Sequence, residues 1–160
     1  MTQQTIRIGP AAALFLALGL CSGAPSLARA QGAPLVVEVR GVTSNEGKVR
    51  VDVCTAATFL KTTCPFSGDA PAVAGTTSVT VGALPPGTYA VQAYHDSNDN
   101  GRLDRGAFGI PREGFGFSND APVGFKGPSF PRAAFVHGAE AQTITLKLRH
   151  FGGASPPAPG

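Results

Sequence analysis

Short runs in which apolar and polar residues alternate recur along the chain between residues 35 and 148, and no long stretch repeats apolar residues at helical spacing. Period-two alternation puts successive side chains on opposite faces of an extended strand, so the pattern predicts strands and an all-β fold. In LVVEVR, Leu35, Val37 and Val39 share one face while Glu38 and Arg40 share the other, and KVRVDV repeats this with Val49, Val51 and Val53 inward. Joined across the polar TSNEG, these two runs are expected to form a hairpin. SVTVGAL, TYAVQAYH, AAFVH and TITLKL continue the series, giving six or seven strands, enough for a two-sheet sandwich. LPPGTY has the form of a tyrosine corner, which assigns Tyr89 a structural bond back to the preceding turn. From His95 to Pro131 the strand pattern gives way to a long segment rich in glycine and phenylalanine, and loops of that length carry function or need their own bracing.

The two ends fall outside the pattern. Arg7, the apolar AAALFLALGL and the small residues Ala28 and Ala30 predict a secretory signal peptide over residues 1–30. The run is too short for a bilayer, which needs about 20 residues, so no transmembrane segment is expected in the mature chain. Cys21 raises a lipoprotein alternative, disfavoured because Leu20 precedes it where a small residue is needed. The expected domain is 31–150, and the Gly/Pro/Ser/Ala-rich residues 151–160 are expected to be disordered. Taking Arg7 and Arg29 from the 13 basic residues leaves 11 against 10 acidic ones, so the net charge of +3 becomes +1. That balance, without a Lys/Arg cluster, argues against a nucleic-acid partner. Export places the protein in the periplasm or outside the cell, where Cys54 and Cys64, the two cysteines left, are expected to form a disulfide. A zinc pair is the rival, but no nearby histidine or third cysteine completes a tetrahedral set.

The clearest chemistry lies in HDSNDNGRLD, residues 95–104. Calcium takes six to eight oxygens, and short loops provide them by alternating Asp and Asn around a glycine at the sharpest bend. Asp96, Asn98, Asn100 and Asp104 stand where such a loop has its side-chain ligands, and Arg102 stands where it offers a backbone carbonyl. Ala107 occupies the place of the usual closing glutamate, which leaves Glu113 and Asp120 as candidates for that role. The competing reading is an Asx-rich turn that bonds only to its own backbone. Downstream, Phe108, Phe115 and Phe117 either plug the open end of the sandwich or form an exposed aromatic binding patch. Catalytic signatures are thin: there is no GxSxG, HExxH or Walker loop, and His95, His137 and His150 are scattered.

LPPGTYAVQAYHDSNDNGRLD, then FGIPREGFGFSND and the AAFVH strand, preceded by LVVEVRGV and GKVRVDV, resemble a family of small secreted bacterial proteins classed as domain of unknown function 2141. The resemblance covers nearly the whole mature chain. It implies an antiparallel Greek-key sandwich of the transthyretin-like or carboxypeptidase-regulatory-like kind, and no established activity. Cys54 and Cys64 lie outside the recognised pattern. Together these readings predict an exported, non-enzymatic β-sandwich module, with calcium as its one expected cofactor, that binds an envelope or extracellular component. The alternative is a metal-dependent envelope enzyme acting through His95, Asp96, Asp104 and Glu113.

Overall fold

The computed structural model describes residues 32–124 and 126–151; the predicted signal peptide and the tail beyond residue 151 lie outside the described residues. Among the described residues, eight strands form two facing sheets. β1 (Ala33–Val42) is the centre of the first, between β4 (Gly75–Leu84) and β8 (Gln142–Lys147). The second runs β3 (Phe66–Pro71), β2 (Lys48–Cys54), β5 (Gly87–Asp96), β6 (Phe115–Phe117), with β7 (Phe135–His137) paired to the start of β5. This is the expected all-β sandwich, but β1 and β8 run parallel, Val37 beside Ile144 and Val39 beside Leu146, so the sheet is mixed rather than antiparallel throughout.

The expected hairpin between the first two strands does not form. β1 pairs with β4 and β8, whereas β2 pairs with β3 and β5, so TSNEG carries the chain from one sheet to the other. Alternation could not separate the two arrangements, because each buries one face of each strand. The ends of the connection reveal the arch. Gly41 and Gly47 have φ of 79° and 66°, and a Cβ on Gly47 would sit 1.9 Å from the Asp96 carbonyl oxygen, so only glycine lets the backbones approach there.

Between the sheets lies a core made largely of valine. Leu35, Val37 and Val39 of β1 meet Val49, Val51 and Val53 of β2 across it, with Val79, Val91 and Leu146, all fully buried. Each such side chain contributes about 1.5–3 kcal/mol relative to exposure. The tyrosine corner is present: the Tyr89 hydroxyl donates to the Pro85 carbonyl at 3.1 Å, and its ring packs edge-on against Phe66. Gly87 allows this, since a Cβ there would lie 2.9–3.0 Å from the ring. Tyr89→Phe keeps the ring and removes one hydrogen bond, so urea unfolding should show a loss of about 1 kcal/mol with an unchanged denaturant slope.

Candidate functional site

Alternation along β5 decides what can meet at its end. Odd positions face the core, and His95 follows them: its ring lies buried, with Nε2 2.9 Å from the Glu46 carbonyl and Nδ1 3.5 Å from the Thr43 hydroxyl. Asp96 points to the opposite face, where the following loop folds over it. The pairing of His95 with Asp96 in the enzyme alternative is therefore not brought together. His137 and His150 also contact backbone carbonyls, those of Ala33 and Gly41, which makes all three histidines ties between segments.

Asp96 is completely buried at the root of the loop. Its Oδ1 accepts the Asn100 backbone N–H at 2.9 Å, and its Oδ2 accepts that of Gly101 at 2.8 Å. Above it, Asn98 donates its carboxamide to Asp104 at 2.8 Å, and Asn100 donates to both Asp104 oxygens at 3.0 Å. The polar tips of Asn98, Asn100 and Asp104 thus converge on one point. Hydrogen bonds from Asn100 and Asn98 hold the Asp104 carboxyl below the ordinary carboxylate range, with Arg102 adding to the effect. A lowered folded-state pKa stabilises the fold at neutral pH, and this contribution is lost as pH falls through the lowered value. Asp99 turns away to pair with Lys48 at 2.6 Å, tying the loop to β2.

Glu113 reaches the same loop from the far end of the segment. Oε1 accepts the backbone N–H and the hydroxyl of Ser97 at 3.0 and 3.2 Å, and Oε2 accepts the Asp104 backbone N–H at 2.9 Å. Asp120 does not join them. The pairing of β6 with β5 carries it to the edge of β8, where Oδ1 accepts the Lys147 backbone N–H at 2.7 Å, so it is removed from the candidate ligands. Among the described residues, no three His, Cys, Asp or Glu side chains cluster as a metal site. The loop's convergent groups are instead carboxamides and carboxylates.

The phenylalanines divide. Phe115 and Phe117 are buried, and with Ala90, Ala121, Ala133 and half-buried Phe59 and Phe130 they form a second core on the outer face of the five-stranded sheet, not at the end of the sandwich. Phe59 stacks edge-on with both Phe117 and Phe130, ring centres 5.8 Å apart. They are withdrawn from the exposed patch by strand pairing, which turns the FGF segment against β5. Phe108 is 100 % exposed.

Beside this second core runs an open cleft of about 1060 Å³. Its floor includes Arg50 and Asp52 of β2 and Gln92 and Tyr94 of β5; Phe108 and Ile110 stand on one side, Leu60 and Lys61 on another. Burial and the Asp52 carboxylate push the Tyr94 phenol up, so it stays a neutral donor. Cys54 and Cys64 are bonded, as expected, and the loop they close is held over the sheet by Gln92, which accepts the Leu60 N–H at 3.2 Å and donates to the Lys61 carbonyl at 3.0 Å. Leu60, Lys61 and Tyr94 did not stand out in the sequence; the available signal was the outward, even-numbered register of β5.

The family model described as "Uncharacterized protein conserved in bacteria (DUF2141)" matches residues 37–145, and the chain belongs to that family. Neither a curated protein nor a solved structure matches the chain.

Proposed function

We infer that this family member is an exported, non-enzymatic binding module whose 96–104 loop takes up a calcium ion and so fixes one side of the cleft as a recognition face, in the periplasm or outside the cell. The observation that carries the reading is the convergence of the Asn98 and Asn100 carboxamides on the Asp104 carboxylate, at 2.8–3.0 Å, beside the buried Asp96. Carboxamides and carboxylates are the hard oxygen donors calcium takes. Turning the Asn98 carboxamide about its last bond presents oxygen where nitrogen now faces Asp104, and turning that of Asn100 does the same in exchange for the bond its Oδ1 accepts from the Arg102 N–H at 3.1 Å. Asp96, Asn98, Asn100 and Asp104 would supply side-chain oxygens, Arg102 its carbonyl, and Glu113 the closing carboxylate that Ala107 lacks. Both Asp96 oxygens and Glu113 Oε2 accept one hydrogen bond each and so retain a lone pair, and turning the two carboxamides frees the Asp104 oxygens of the bonds they now accept from Asn98 and Asn100. The chain leads from Asp104 straight to Phe108, so an ion that stiffens the loop also holds the side of the cleft.

Calorimetric titration of the exported protein should find one calcium site with a Kd of about 10⁻⁴ to 10⁻³ M, the range of extracellular modules. No heat from calcium in the millimolar range would reject the reading. Stoichiometric zinc after export, by elemental analysis, would favour a metal-dependent enzyme instead.

A further inference from the structure

Four of the six large apolar side chains that stand exposed among the described residues, Leu60, Phe108, Ile110 and Phe151, line the same cleft. Its lining holds five cations and one carboxylate, Asp52, which is paired with Arg50 at 3.0 Å. Charge and apolar exposure therefore concentrate on one face of a chain whose total charge is nearly balanced.

The 105–112 segment is the most prominent part of that face. It is a small hairpin: Arg105 and Pro111 form a bridge, and the Gly106 N–H donates to the Ile110 carbonyl at 2.7 Å. At its tip Phe108 is fully exposed with φ of 60°, an uncommon and costly conformation for a bulky residue, and Ile110 is half exposed. Arginines sit at the neck. Arg105 donates to the Gly109 carbonyl at 3.0 Å, and Arg112 lies against Gly106, where a Cβ would meet its Nε at 3.0 Å. No acidic residue falls between them, and of the flanking carboxylates Glu113 is buried while Asp104 is engaged by Asn98 and Asn100.

We propose that this tip is a wedge for an anionic lipid surface: Phe108 and Ile110 enter the boundary between headgroups and acyl chains, while Arg105 and Arg112 remain among the headgroup phosphates. The shape favours lipid over a folded partner or a glycan. A protruding apolar tip with guanidinium groups at its neck needs no complementary pocket in a bilayer, and it offers no array of polar groups to read sugar hydroxyls. The proposal names the partner of the recognition face inferred above, and depends on that reading only for the posture of the loop.

Flotation of the purified exported protein with vesicles tests it, in calcium and in chelator. Vesicles of phosphatidylcholine with about one-third phosphatidylglycerol should carry the protein upward, phosphatidylcholine alone should not, and 0.5 M salt should weaken the binding. Phe108→Asn suits the left-handed backbone and contacts no core residue, so it should melt no lower than wild type yet lower the bound fraction about tenfold. Arg105→Gln and Arg112→Gln should each lower it about fivefold. Wild-type binding no greater to anionic than to neutral vesicles, or undiminished binding by these variants, would overturn the proposal. Loss of vesicle binding beside an intact calcium titration would reject the wedge alone. Phe108-dependent binding without any calcium uptake would reject the metal site and leave the wedge standing.

Discussion

Asp96→Ala should be among the most damaging single substitutions outside the valine core, lowering stability by about 3 kcal/mol even in chelator. The carboxylate is fully buried and accepts two backbone N–H groups, from Asn100 and Gly101. Hydrogen bonds to a charged partner contribute about 1.5–3 kcal/mol each, and alanine leaves both donors without one. Part of the loss returns when the loop opens to water, which keeps the expected figure near the lower half of that sum. Asp96→Asn retains one acceptor oxygen and should fall between wild type and alanine. The damage should also be local first: amide hydrogen exchange at Asn100 and Gly101 should accelerate before exchange in β2 and β5 does. A urea midpoint within experimental error of wild type would mean that Asp96 does not hold the loop.

Breaking the Cys54–Cys64 bond, by Cys54→Ala with Cys64→Ala, should cost about 3 kcal/mol by the closure entropy of so short a loop. A second effect follows from what the loop carries. Phe59 packs between Phe117 and Phe130, and the backbone of Leu60 and Lys61 is held by Gln92, so the loop both caps the outer core and borders the cleft. The double variant should therefore expose aromatic surface while the inner valine core stays folded, read as dye binding that rises before the main unfolding transition. Simultaneous loss of both cores in one transition, at an unchanged midpoint, would contradict the role given to the disulfide.

Most strands were legible because their alternation has one cause, a single buried face. β1, β2, β4, β5 and β8 all show it, and Val37, Val51, Val79, Val91 and Leu146 are buried as that predicts. β3 was hidden. Its FSGDAP carries turn residues, and it is a strand because β2 offers it a full ladder from Lys48 to Val53 at a sheet edge, where Pro71 costs no internal hydrogen bond. Pairing partners were hidden too, since neither the TSNEG arch nor the parallel neighbour of β1 leaves a trace in periodicity. At the site, local spacing singled out Asn98, Asn100 and Asp104, whose side chains meet, and Asp96, which bonds the backbone of the same loop. Glu113 and Asp120 could not be told apart in sequence. The reversal at Pro111 returns Glu113 to the loop, whereas β6 takes Asp120 to Lys147. The three phenylalanines looked alike as well, until strand pairing buried two and a hairpin tip displayed the third.

The inferred calcium site is tested most directly by melting the exported protein in chelator and in 10 mM calcium, beside Asp104→Ala. Asp104 is partly exposed and bonded mainly to Asn98 and Asn100, so its removal should spare the fold while taking away the group on which the loop converges. Ion binding to the folded state alone adds RT ln(1 + [L]/Kd), about 1.4–2.7 kcal/mol for a ten- to hundredfold excess over Kd. In a domain of this size that raises the wild-type Tm by roughly 5–10 °C. The wild type should show that shift and Asp104→Ala should not; equal melting of the wild type with and without calcium, or an equal shift in the variant, would rule out an ion held by this loop.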